Sequence, residues 1–166
     1  MHKIGIDLGG TKIEGIVLDK NNNTIDRKRI STNREEGYEA IINRISELGH
    51  ELLEKSISVK QICICTPGAL DPTIGVMKNS NTLCLIGEPL QKDLEKAFEL
   101  PVFMENDANC FALAESILGA AKGYGVVFGV IMGTGVGGGI IINGKIHRGP
   151  NYIAGEWGHH VLYPDG

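Results

Sequence analysis

The sequence has no excess of positive charge, no run of lysine or arginine and no long apolar stretch, and each absence excludes a class of function. Lys and Arg total 16 against 20 Asp and Glu, leaving a formal net charge of −4 at pH 7. No basic field is available to neutralise a phosphate backbone, so nucleic acid is not an expected partner. The longest apolar stretches, residues 125–132 and 138–142, fall well short of the roughly 20 residues that cross a bilayer. No membrane partner is expected. Met1-His2-Lys3 runs directly into a strand pattern in place of a secretory leader, and a cytoplasmic location is expected. Cysteine is sparse: Cys63, Cys65, Cys84 and Cys110 show no zinc-type spacing among themselves. Cys63 and Cys65 alternate with isoleucine in "QICIC" and are expected as reduced core residues on one face of a strand. No repeat, low-complexity tract or linker is present.

Glycine, by contrast, is abundant. There are 23 in 166 residues, roughly twice the average usage of about 7%. Five fall between Gly133 and Gly139.

Along the chain, "KIGIDLGGTKIEGIVLDKNNNTIDRKRIST" alternates apolar and polar residues with breaks at Gly9-Gly10 and Asn21-Asn22-Asn23. That pattern predicts a meander of three strands, the second over 13–18 and the third over 24–30. Residues 35–55 carry apolar positions at helical spacing. "KQICICTPG" predicts a short buried strand, "DPTIGVMKNSN" a small extended excursion, "PLQKDLEKAFEL" a helix and "PVFMEND" another buried strand. Residues 107–118 are predicted helical, and "YGVVFGVIMGTGVGGGIIINGKI" predicts two apolar strands joined by a glycine loop, with a turn at Asn143-Gly144. The order implies an α/β layer architecture, a mixed sheet covered by helices.

"DLGGTK" places Asp7 ahead of Gly9-Gly10 at a strand turn, with Thr11 and Lys12 following. Main-chain N–H groups hold an anion only where the backbone can approach it closely, which glycine permits. Asp7 suits a hydrated magnesium ion shared with phosphate oxygens. A plain hairpin explains the same residues equally well. "GTGVGGG" offers a second set of main-chain donors and the Thr134 hydroxyl, but it lacks the Lys-Ser/Thr of a P-loop and opens a strand instead of a helix. Two such turns suggest closure on one polyphosphate. Between them, Asn106-Asp107 stands where a strand ends and a helix begins. Helix capping accounts for that placement. Asp107 facing the phosphate turns could also accept the proton of an attacking hydroxyl while Asn106 donates to a neighbouring one. In "AGEWGHH", Glu156 and His159 lie three apart and could hydrogen-bond a polyol, or His159 could bind a metal, or both could be structural.

"GIDLGGTK", "TPGALD", "ENDANCFALAE", "GVIMGTGVGGGIIINGKIHRG" and "AGEWGH" occur in the order found in the ROK family (repressors, open reading frames, kinases) of bacterial sugar kinases, and the chain resembles that family over essentially its whole length. The resemblance is closest to the N-acetylglucosamine kinases and glucokinases. It implies an actin-like (ribonuclease H-like) ATPase lobe, with residues 1–166 as the N-terminal lobe of a two-lobe enzyme whose C-terminal lobe holds the adenosine. It implies ATP and Mg²⁺, a small-molecule sugar as partner and a homodimeric full-length protein. Residue by residue, Gly9, Gly10, Thr11 and Lys12 match the first phosphate motif and Asp7 its magnesium-side acid. Gly133, Thr134, Gly135 and Gly137 match the second. Asp107 matches the catalytic base, while Gly68, Asn81, Asn106, Glu156 and His159 match the sugar pocket. His159 also matches a zinc ligand, but the cysteine segment that completes that site in the family does not follow before Gly166, and no zinc is expected here. The expectation is ATP-dependent phosphorylation of a hexose or N-acetylhexosamine at its C6 hydroxyl, with the sugar-sensing lobe of a ROK-type transcriptional repressor as the alternative. Either way, Asp107 and the two glycine turns are expected to share one crevice.

Overall fold

The computed structural model describes residues 1–133 and 135–158. They group into two compact units, the first Met1–Glu105 and the second beginning at Asn106.

In the first unit, β1 (Lys3–Leu8), β2 (Lys12–Leu18) and β3 (Thr24–Ser31) form the expected meander. β1 runs antiparallel to β2 with Ile6 opposite Gly15, and β2 antiparallel to β3. β4 (Ile62–Thr66) pairs with β1 in parallel, Ile6 facing Ile64. A parallel neighbour needs a crossover, which α1 (Tyr38–Glu54) provides. The predicted helix from 35 divides in two: a single 3₁₀ turn, Arg34–Glu36, ends at Gly37 with φ 90°, and α1 starts after it. Beyond β4, β5 (Ala69–Leu70) and β6 (Met77–Lys78) make the small excursion as a two-stranded hairpin. α2 (Leu90–Phe98) follows, then β7 (Val102–Asn106), which completes the sheet order β3-β2-β1-β4-β7.

The core of this unit lies between one sheet face and the helices. Period-two alternation buries Ile4, Ile6 and Leu8 of β1 and Ile13 and Val17 of β2, and helical spacing turns Ile41, Ile45, Leu48 and Leu52 of α1 onto them. Gly15 permits the close approach: a Cβ there would strike Leu52 Cδ1 and lie 3.3 Å from Leu48.

The same alternation corrects the expectation for Cys63 and Cys65. Ile62 and Ile64 occupy the covered face, so the two thiols take the opposite one, where Cys63 is exposed and Cys65 half-buried. Isoleucine has more apolar surface to remove from water, and it wins the buried register.

In the second unit, α3 (Asp107–Ile117) precedes β8 (Val126–Met132), β9 (Val136–Ile142) and β10 (Lys145–Ile146). The sheet order is β10-β9-β8, with β8 and β9 antiparallel and Gly129 opposite Gly139. Among the described residues β8 lies at one edge of this sheet and β10 at the other. The alternate residues Val126, Phe128, Val130 and Met132 of β8 are exposed. No helix among the described residues is long and apolar enough to cross a membrane.

Candidate active site

The first glycine turn joins β1 to β2. Gly9 N–H donates to the Lys12 carbonyl at 2.9 Å, and the Thr32 hydroxyl donates to the Gly9 carbonyl at 2.7 Å, which fixes the bend from both sides. The N–H groups of Gly10 and Thr11 have no partner among the described residues. Paired donors of this kind, with the exposed Lys12 beside them, suit an anion. Asp7 is exposed near the end of β1, opposite Glu14 and Cys65 in the ladder. No group of three His, Cys, Asp or Glu side chains gathers at one point among the described residues. A single carboxylate fits magnesium, which takes the rest of its shell from water and phosphate.

Gly68 follows β4 with φ 96°, and a Cβ there would lie 2.6 Å from the Lys78 carbonyl and 2.9 Å from Ser80. No other residue fits. The contact brings Gly68 against the segment that holds the exposed Asn81, so these two sequence-predicted residues share one neighbourhood of the first unit.

The chain passes from β7 into α3 without a loop. Asn106, 8% exposed, is the N-cap: its side chain accepts from Ala108 N–H at 3.0 Å and from Asn109 N–H at 3.2 Å. Of the two readings of this corner, capping is what Asn106 does, and Asp107 stands in the first turn of α3. Asp107 Oδ1 accepts from Ala108 N–H at 2.8 Å. Its carboxylate keeps contact with solvent. Desolvation by surrounding protein nevertheless pushes its pKa above the ordinary aspartate range, against the opposing pull of backbone N–H bonds and Asn106. A carboxylate raised in this way is a better proton acceptor.

The second glycine stretch departs from a continuous loop. β8 ends at Met132 and β9 begins at Val136, Gly133 N–H donates to the Gly135 carbonyl at 2.9 Å, and Gly137, Gly138 and Gly139 are residues of β9. Their lack of side chains serves packing. A Cβ on Gly139 would lie 2.6 Å from the Ala108 carbonyl, so the first turn of α3 rests directly on β9. Gly137, two residues away and therefore on the same face, has Glu156 Oε2 3.4 Å from its virtual Cβ. Trp157 Nε1 donates to the Gly137 carbonyl at 3.1 Å and its ring meets Phe128 edge-on. β9 thus carries the first turn of α3 at Gly139 and the Glu156 carboxylate at Gly137. Thr134 and His159 lie outside the described residues.

Two residues near the first turn were missed by motif reading: Arg34 and Thr82 both approach Gly10. Neither belongs to a pattern in the sequence, and only the fold brings them together.

Comparison with known proteins identifies the family and the fold. The ROK family description matches residues 3–166. An N-acetyl-D-glucosamine kinase of Yersinia pestis bv. Antiqua (strain Nepal516) is 40% identical over 97% of this chain and 62% of its own length. A ROK hexokinase from Thermus thermophilus superposes with a TM-score of 0.84 at 37% identity, covering 100% of this chain and 55% of that one. A ROK family glucokinase from Streptomyces griseus, solved with glucose and AMPPNP, gives 0.87 at 33% identity, covering 100% and 52%. The chain spans about half the length of most relatives it matches. The motifs, the meander with its glycine turn, the Asn106-Asp107 corner and the family match together place this chain in the ROK family.

Proposed function

We propose that the protein phosphorylates a hexose or N-acetylhexosamine at its C6 hydroxyl using ATP, with N-acetylglucosamine or glucose as the favoured sugars. The Asn106-Asp107 corner carries this reading: a solvent-accessible carboxylate whose pKa partial desolvation raises, held in the first turn of a helix that packs on the strand beside which Glu156 also lies. The names of the relatives support it, and so does the glucose and AMPPNP complex of the Streptomyces griseus enzyme.

Each residue has a task in this scheme. Asp107 accepts a hydrogen bond from the acceptor hydroxyl, orients it toward the phosphoryl group and takes its proton late in the transfer. Asn106, Glu156, Gly68 and Asn81 hold the other sugar hydroxyls, and His159 belongs with them in the sugar pocket. Gly10, Thr11 and Lys12 hold the polyphosphate, together with the 133–135 turn, Thr134 and Gly137. Magnesium carried on Asp7 would neutralise charge on the phosphate oxygens. In this scheme residues 1–166 form the sugar and phosphate side, the further length of the relatives supplies the adenosine side, and the chain alone shows little or no turnover. A cytoplasmic homodimer, with a structural zinc at His159 only where a cysteine segment follows, belongs to the same proposal.

The test is an ADP-release assay on the protein at the full length of its relatives, with glucose, N-acetylglucosamine, N-acetylmannosamine and fructose. Asp107→Asn should lower kcat by about 10²- to 10⁴-fold. Unchanged turnover would remove Asp107 from this role.

A further inference from the structure

Three segments far apart in sequence converge on Gly10. A Cβ built there would lie 3.5 Å from Arg34 Nη1 and 3.6 Å from Thr82 Oγ1. Thr82 is 1% exposed, and its hydroxyl has no hydrogen-bond partner among the described residues. Native structures seldom leave a buried hydroxyl in that condition unless a water, an ion or a ligand meets it. Arg34 is exposed, and among the described residues its guanidinium joins no ion pair. Its backbone is held in place: the Arg34 carbonyl accepts from Gly37 N–H at 3.2 Å and from Cys84 Sγ at 3.8 Å. Arg34 and Thr82 line an open cleft of about 540 Å³ together with Asn81 and Glu35. Glu35 offsets the charge of Arg34 in part. An anion is therefore selected only where the guanidinium acts with neutral donors, and the unpaired N–H groups of Gly10 and Thr11 and the Thr82 hydroxyl are such donors.

We propose that Arg34 and Thr82 complete the first glycine turn as a subsite for the terminal phosphoryl group of a polyphosphate. This rests on the phosphotransfer reading above and adds two binding residues to it. Arg34 supplies a forked, always charged donor, and Thr82 supplies a directional hydroxyl in a desolvated wall.

The experiment is a titration of the 166-residue chain with inorganic tripolyphosphate, followed through the amide resonances of Gly10, Thr11 and Thr82. Saturable shifts are expected. Arg34→Met should weaken binding about tenfold, the scale of one lost charge-assisted hydrogen bond, and Arg34→Lys should restore part of it. Thr82→Val should weaken binding about threefold without lowering the melting temperature, because the hydroxyl it removes has no partner among the described residues. Thr82→Ser should bind as the parent does. The proposal is overturned if tripolyphosphate causes no saturable shift or if Arg34→Met and Thr82→Val titrate like the parent. It is overturned equally if N-acetylglucosamine alone moves these amides and tripolyphosphate does not. The two readings fail separately: unchanged turnover in Asp107→Asn leaves the titration standing, whereas an Arg34-independent titration leaves the kinase standing.

Discussion

The molecule contains two three-stranded antiparallel meanders, β1-β2-β3 and β8-β9-β10, and they use glycine for different purposes. In the first, Gly9-Gly10 forms the bend, and the strands on either side carry large side chains that α1 covers. In the second, glycine occupies the strands themselves at Gly129, Gly137, Gly138 and Gly139. A helix over isoleucine and leucine rests on a layer of side chains, whose energy is hydrophobic and tolerant of small shifts. A helix over glycine rests on backbone. The first arrangement buries apolar surface, whereas the second brings the first turn of α3, next to Asp107, into direct contact with strand backbone.

Ile45→Ala is the substitution expected to cost most stability. Ile45 is 0% exposed in the first core, and removing it should cost about 2–5 kcal/mol. Hydrogen exchange should show the loss in β1 and β2 while protection in β8 and β9 is kept. Equal loss in both meanders would break the comparison. Gly139→Ala comes next. Its Cβ meets the Ala108 carbonyl at 2.6 Å and Asn109 Cα at 2.8 Å, an overpacking worth about 1–3 kcal/mol. Thermal unfolding should register it, and in the full-length protein kcat should fall further than stability alone requires, since α3 must move. A variant with parental turnover would show that backbone contact does not position Asp107. Asn106→Ala removes the cap and should cost about 1 kcal/mol, measurable as a lower denaturation midpoint.

Asp107→Asn has the smallest effect on stability and the opposite sign. The folded carboxyl has a raised pKa, so the native state binds its proton more tightly than the unfolded chain does. The resulting penalty is present in full above the folded pKa and is relieved as pH falls toward the unfolded value. Asp107→Asn should therefore raise the melting temperature at neutral pH, and the gain should fade in acid. A gain that persists unchanged in acid would show that the carboxylate is not strained by desolvation. The turnover of the full-length enzyme should lose activity on its acid side at a pH above that of an ordinary aspartate.

The strand and helix plan was legible because apolar periodicity carried it through both units, and the Asn106-Asp107 corner was legible because a cap and a strand end coincide there. The division at Gly37 was missed, since the polar residues 34–36 ahead of the first apolar position, Ala40, carry no spacing that would show where the helix starts. Gly137 to Gly139 read as loop because clustered glycine signals a turn, yet the β-branched run that follows pairs them into β9. The cysteines were misplaced because alternation shows that two faces exist without saying which residue set wins the covered one. Arg34 and Thr82 had no local signature at all; their significance arises from convergence on Gly10.

One consequence of β8 bears on handling the molecule. For seven residues, "VVFGVIM", the rim of the second sheet bears no charge and no proline, and its exposed side chains are apolar. A ribbon of that description is a template for strands from other molecules. Concentrated solutions of this chain should thicken or form fibrils with time, and a lysine in place of Val130 should keep them clear.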